Sequence, residues 1–136
     1  MTNSNKRNTT GKNHIKIDDF IKPTPFIDSL NPEIIAFAKL HTQALSSDKE
    51  KAIALFYAVR DNFRYDPYHI DLSVDGLKAS TTLINKYGWC VSKAILLAAA
   101  CRSLGIPTRL GFADVRNHLA SEKMLTFLKT DIAYWH

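Results

Sequence analysis

The chain has 136 residues, 46% of them hydrophobic and 23% charged, a composition typical of one globular domain and not of a disordered protein. Eighteen Lys and Arg residues exceed thirteen Asp and Glu residues, which gives a formal net charge of +5. No nucleic-acid recognition motif accompanies this charge, and no window approaches the roughly 18 apolar residues of a membrane helix. The first twenty residues also lack the apolar core of a secretory signal. We therefore predict a cytoplasmic protein that binds neither nucleic acid nor membrane.

The N-terminal residues differ in composition from the rest of the chain. Residues 1–13 contain no large apolar side chain after Met1, so we predict a disordered basic tail there, followed by one domain over residues 14–136. Residues 15–26 combine apolar side chains with Pro23 and Pro25, which predicts an extended arm.

Two helices are predicted next, because each has residues that satisfy the free backbone N–H groups at a helix start. Asn31 before Pro32 is a typical N-cap, and Ser47 with Glu50 forms an S-x-x-E capping box. Apolar residues at helical spacing follow both signals. The predicted apolar stripe of the second helix consists of Ile53, Phe56, Val59 and Phe63.

In the second half of the chain, the sequence pattern predicts short helices and strands on either side of one long apolar helix. A brief helix is expected near residues 80–86, and the long helix runs from about Cys90 to Leu104, where Gly105 and Pro107 end it. The long helix is apolar on most of its circumference, so it belongs in the middle of the domain. Strands are predicted at residues 108–115 and 130–136.

The two cysteines occupy different positions on the long helix. Cys90 lies in its first turn, where free backbone N–H groups and the helix dipole favour a reactive thiolate, although a small buried hydrophobe is equally compatible with this position. Cys101 lies eleven residues later among alanines, which predicts core packing. The separation of roughly 16 Å along the axis prevents a disulfide between them in a straight helix.

A nucleophilic thiol needs a base, and the residues alone leave its identity open. The candidates are His14, His41, His69, His118 and His136. A zinc site is disfavoured because the cysteines and histidines form no close pair of the C-x₂₋₄-C type. We predict no metal and no cofactor.

Several motifs in a fixed order together resemble the transglutaminase-like superfamily, and in particular one of its bacterial branches. The central motif is Y-G-W-C-V-S-K-A at residues 87–94, and the resemblance covers about residues 50–136. The other motifs are Y-D-P-Y at 65–68, D-G-L-K-A-S at 75–80, the G-I-P segment at 105–119 and the segment 130–136.

The resemblance implies a papain-like α+β fold, in which N-terminal helices and a buried cysteine helix pack on an antiparallel sheet. It implies that Cys90 is the nucleophile and His136 the general base of a thiol hydrolase or acyltransferase acting on peptide or other amide substrates. Trp89 and His118 become candidates for substrate or oxyanion contacts. The mechanism that the resemblance implies is attack of the thiolate on an acyl carbon and release of the acyl group to water or an amine.

In the family, the third catalytic residue, acidic or amide, follows the histidine strand. We therefore expect this chain to be truncated at its C-terminus, with an incomplete sheet and little turnover. The alternatives are an inactive copy and a noncatalytic binding protein of the same fold.

Overall fold

A computed structural model of the chain describes residues 15–133, so the predicted tail at residues 1–13 lies outside the described residues. None of the helices within residues 15–133 has the length and apolar character needed to cross a membrane. The elements in chain order are a 3₁₀ helix Ile17–Phe20, α1 Pro32–Thr42, α2 Asp48–Asn62, β1 Arg64–Tyr65, α3 Val74–Leu77, α4 Ala79–Asn85, β2 Tyr87–Gly88, α5 Cys90–Ser103, β3 Val115–Arg116, α6 Glu122–Leu128 and β4 Ile132–Ala133.

The starts of α1 and α2 confirm the predicted capping residues. The side-chain oxygen of Asn31 accepts a hydrogen bond from the Glu33 N–H at 2.9 Å. At α2, Ser47 Oγ accepts from the Glu50 N–H at 3.2 Å, and the Ser47 N–H donates to Glu50 Oε2 at 3.3 Å. Both helices therefore begin where their sequences satisfy the first free backbone N–H groups.

Helix α5 forms the centre of the domain and packs against α1, α2 and α4. Three successive alanines, Ala98 to Ala100, are almost completely buried in its middle, and small side chains at such positions let neighbouring helices approach closely. Cys101 is 4% exposed within the same core, which confirms its predicted packing role. The burial of α5 on several sides fixes the position of its N-terminus.

Lys93 links the first turn of α5 to the end of α2. Its Nζ donates to the carbonyl oxygens of Phe63 at 2.7 Å and of Arg60 at 3.2 Å. Burial lowers the pKa of this ammonium group, while its position at the carbonyl end of a helix is electrostatically favourable. The contact therefore holds the two helices in a fixed relation next to Cys90.

The predicted stripe of α2 is partly wrong. Ile53 and Phe56 are 47% and 49% exposed, whereas Leu55, Ala58 and Val59 face the core. The buried set has the i, i+3, i+4 spacing of one helix face, so the helix is rotated relative to the predicted stripe. Apolar residues occur on both faces of α2, and the contacts with α1 and α5 determine which face is buried.

The strand predicted at residues 108–115 is also wrong, because the described strand is only Val115–Arg116. The Thr108 N–H donates to the Phe20 carbonyl at 3.0 Å, and the Thr108 carbonyl accepts from Arg102 Nε and Nη2 at 2.9 and 2.6 Å. These bonds leave the Thr108 backbone without capacity for a strand ladder. Downstream, β3 pairs antiparallel with β4, which lies within the predicted strand at 130–136.

Arg102 connects the N-terminal segment to the chain that follows α5. Its side chain is buried, with the residue 8% exposed, and Nη1 donates to the Lys22 carbonyl at 2.7 Å in addition to the two bonds to Thr108. Burial lowers the pKa of the guanidinium, which nevertheless stays charged at neutral pH. The segment that was expected to be an extended arm is thereby held against the end of α5.

We predict that Arg102→Ala destabilises the protein by about 2–3 kcal/mol, because it removes the three hydrogen bonds that a buried guanidinium donates to the carbonyls of Lys22 and Thr108. The melting midpoint should fall by about 5–15 °C in a thermal melt followed by circular dichroism. Arg60→Ala is the matched control, since the Arg60 guanidinium contacts the exposed side chains of Asp61 and Tyr57 and its removal should change the midpoint little. Equal melting midpoints for the two variants would show that the hydrogen bonds of Arg102 do not stabilise the protein more than an exposed ion pair does.

Candidate active site

The parallel pair β1–β2 places the first turn of α5 opposite β1. The Arg64 N–H donates to the Lys86 carbonyl at 3.0 Å, and the Asp66 N–H donates to the Gly88 carbonyl at 2.9 Å. In this register Tyr65 lies opposite Gly88, two residues before Cys90. The side chain of Tyr65 consequently reaches the Cys90 thiol.

A close contact between Gly88 and Ser92 forms the turn that leads into α5. Ser92 Oγ accepts a hydrogen bond from the Trp89 N–H at 3.0 Å and donates to the Trp89 carbonyl at 3.2 Å. A Cβ atom on Gly88 would lie 2.5 Å from Ser92 Oγ and 3.2 Å from Thr82 Cγ2. Only glycine fits this position without displacing the buried serine that caps the cysteine helix.

Cys90 opens into a cavity of about 580 Å³ between the helical core and the β3–β4 region. Trp89 forms part of the wall, so the structure brings two of the four predicted site residues together. The volume lies in the range of small-molecule sites. The lining residues are Tyr65, Pro67, Ile70, Trp89, Cys90, Val115, Arg116, Asn117, Ala120, Met124, Leu128, Thr130, Asp131 and Ile132.

The protonation of Cys90 is decided by opposing effects. Burial raises the pKa of the thiol and outweighs the backbone N–H groups of Val91 and Cys90 and the Tyr65 hydroxyl, all of which lower it. The expected stabilisation of the thiolate by the helix start is therefore present but is not the dominant effect. Without a partner that accepts its proton, the thiol form of Cys90 predominates at neutral pH.

Of the other two predicted site residues, His118 does not line the cavity and His136 lies outside the described residues. His118 is exposed in the turn after β3, between the lining residues Asn117 and Ala120, and no histidine within residues 15–133 lines the cavity. His136 lies outside the described residues, four positions after the lining residue Ile132. Both assignments stay predictions.

A buried carboxylate next to the cavity was missed by the sequence analysis. Asp66 is 5% exposed, and its oxygens contact His69 Nδ1 at 2.9 Å, Arg64 Nη2 at 3.0 Å and the Tyr68 N–H at 3.0 Å. Burial raises the pKa of Asp66, but the Tyr68 N–H and the two side chains outweigh it and lower the pKa. These contacts fix the turn that carries Pro67 into the cavity wall.

Comparison with known proteins identifies the family. Residues 35–136, about three quarters of the chain, match the family model described as the Transglutaminase-like superfamily. The chain belongs to the transglutaminase-like superfamily. Comparisons with curated proteins and with solved structures gave no significant match. Membership of the transglutaminase-like superfamily confirms the predicted family and the α+β fold class, and the small strands beside a helical core agree with it.

We predict that Tyr65→Phe shifts the alkylation of Cys90 to higher pH, because it removes a hydroxyl donor that lowers the pKa of the thiol. The thiolate is the reacting form, so the rate near neutral pH should fall. The measurement is the iodoacetamide labelling rate of each cysteine from pH 6 to 10, followed by peptide mass spectrometry.

Cys101 provides an internal control in the same experiment. It is buried, so in the unchanged protein it should label much more slowly than Cys90, and its rate should not respond to Tyr65→Phe. An unchanged pH profile at Cys90 would show that the hydroxyl has no effect on the thiol. Faster labelling of Cys101 would contradict the accessibility of Cys90.

We predict that Gly88→Ala destabilises the protein by about 1–3 kcal/mol, because its Cβ atom must displace Ser92 Oγ. A double-mutant cycle with Ser92→Ala tests the cause, since removing Oγ relieves the clash. Urea unfolding should show that Gly88→Ala costs clearly less in the Ser92→Ala background than alone. If the two substitutions lower the free energy of unfolding additively, the clash with Ser92 Oγ is not the cause of the destabilisation by Gly88→Ala.

Proposed function

We propose that the chain performs thiol acyl transfer on amide substrates, with Cys90 as the nucleophile and His136 as the general base. The observation that supports this most strongly is the position of Cys90, at the N-terminus of a buried helix and open to a cavity large enough for a substrate. Membership of the transglutaminase-like superfamily supports the same chemistry, because the Y-G-W-C segment, which resembles the start of the family's cysteine helix, lies within the matched residues 35–136.

In the proposed reaction the Cys90 thiolate attacks the carbonyl carbon of an amide. The carbonyl oxygen becomes negative in the tetrahedral intermediate, and the backbone N–H groups at the start of α5 are suitable donors to it. The C–N bond then breaks, the amine leaves with a proton from His136, and a thioester on Cys90 remains. Water or a second amine attacks the thioester and restores the thiol.

The pKa of Cys90 explains why the proposal includes a base. Burial raises the pKa of the Cys90 thiol, so forming the nucleophile near neutral pH requires a group close to the sulfur that accepts the proton. His136 is proposed for this role because Ile132, four residues earlier, lines the cavity. Asp66 and His69 bond to each other at a nearby turn, and neither lines the cavity.

Trp89 and His118 are proposed as residues that contact the substrate. Trp89 is half-buried and lines the cavity directly beside Cys90, which suits a side chain that orients the acyl group or donates from its indole N–H. His118 follows the lining residue Asn117 by one position, so it is proposed to contact the substrate at the cavity edge. The choice between hydrolysis and transamidation depends on whether water enters the loaded cavity.

The test is the release of amine from a panel of peptide amides, combined with intact mass spectrometry of the protein to detect the thioester. We expect an acyl adduct on Cys90 that disappears in Cys90→Ala, little steady-state turnover, as predicted from the sequence, and slower formation of the adduct in His136→Ala. Cys101→Ala is the control and should keep the reaction, because Cys101 lies in the core. Amine release that persists in Cys90→Ala would overturn the proposal.

A second candidate function is noncatalytic binding in the same cavity. The observations that favour it are the raised pKa of Cys90 and the lack of a lining histidine within residues 15–133. In that case the amides of the panel bind to the protein, but neither an adduct nor amine release appears. The same experiment therefore separates the two candidates.

A further inference from the structure

The cavity at Cys90 is predominantly apolar. Its walls include Pro67 and Ile70 from the turn after β1, Val115 from β3 and Ile132 from β4. Trp89 adds an aromatic surface next to the thiol. An apolar wall of this kind stabilises a ligand by removing apolar surface from water.

The charged side chains in the cavity lining neutralise each other. Arg116 Nε lies 3.4 Å from Asp131 Oδ2, and both side chains remain partly in water. A charged ligand group would therefore meet a paired charge and would lose its own hydration on entering the cavity. Among the described lining residues these are the only two charged side chains, so a charged ligand group meets no unpaired charge there.

Helix α6 contributes the side of the cavity that faces away from the helical core. Met124 and Leu128 lie one helical turn apart and both line the cavity, whereas Leu125 does not. Unbranched Met and flexible Leu side chains adapt to ligands of different shape. The neighbouring contact of Phe127 with Tyr68, at 5.3 Å between ring centroids, fixes this helix near the turn after β1.

We infer that the cavity selects acyl groups that carry a bulky apolar side chain, such as that of leucine or phenylalanine, next to the reacting carbonyl. This inference rests on the proposed function for the orientation of the ligand, because it places the carbonyl at Cys90 and the side chain against Met124 and Ile132. Glutamine and lysine side chains are disfavoured in this position, since Met124 and Ile132 offer no hydrogen-bond partner to a polar group that lies against them.

The test measures reversible binding to Cys90→Ala, which is independent of any chemistry at the thiol. The probes are the N-acetyl amides of leucine, phenylalanine, glutamine and lysine, titrated by NMR chemical-shift changes. We expect the leucine and phenylalanine amides to bind at least about tenfold more tightly than the other two.

Variants on α6 test whether the cavity is responsible for this preference. Met124→Lys should weaken binding of the apolar amides about tenfold, because it brings a charge into the wall. Leu125→Lys is the matched control on the same helix and should leave binding unchanged. Met124→Leu keeps the wall apolar and should retain binding of the apolar amides. Similar spectra of the unliganded variants establish that the fold is kept.

The outcomes distinguish this inference from the proposed function. Equal binding of all four amides, a preference for glutamine, or equal effects of Met124→Lys and Leu125→Lys would overturn the apolar selectivity. An absence of adducts at Cys90 would overturn the proposed chemistry and would leave the binding preference measurable. Preferential binding of the apolar amides, lost in Met124→Lys alone, would support the inference.

Discussion

The burial of α5 among three other helices is the constraint on which the rest of the structure depends. Because α1, α2 and α4 all pack against it, this helix cannot turn or slide without disrupting the core. Its first turn is further held by the bonds from Lys93 to the end of α2 and by the Ser92 bonds to Trp89. The Cys90 thiol is therefore positioned by the whole helical core, while the chain that completes the cavity is packed much less tightly.

Local signals in the sequence predicted most of the helical part of the fold. Asn31 and Ser47 cap the helices that they were expected to cap, and α5 begins at Cys90 and ends before Gly105, which has a left-handed φ of 76°. These signals are reliable because each acts through backbone groups within a few residues. Which face of α2 is buried depends instead on distant partners, so the sequence spacing of Ile53 and Phe56 did not show that both residues are exposed.

The candidate site was predictable only in part. The helix-start position and the motif around it were sufficient to single out Cys90 and Trp89, and both line one cavity. The roles of Tyr65 and Asp66 were not predicted, because they arise from the pairing of β1 with β2, a contact between segments about twenty residues apart. The raised pKa of Cys90 was not predictable either, since a helix start is visible in a sequence whereas the burial that outweighs it is not.

The division between a rigid thiol and a loosely packed wall has an evolutionary consequence. Every residue of α6 keeps part of its surface exposed, although the helix supplies two residues of the cavity. Substitutions there change the shape and chemistry of the wall at little cost to folding, because little core packing depends on them. The wall that α6 supplies is thus open to substitution along one short surface helix, whereas substitutions in the core that supports Cys90 cost stability.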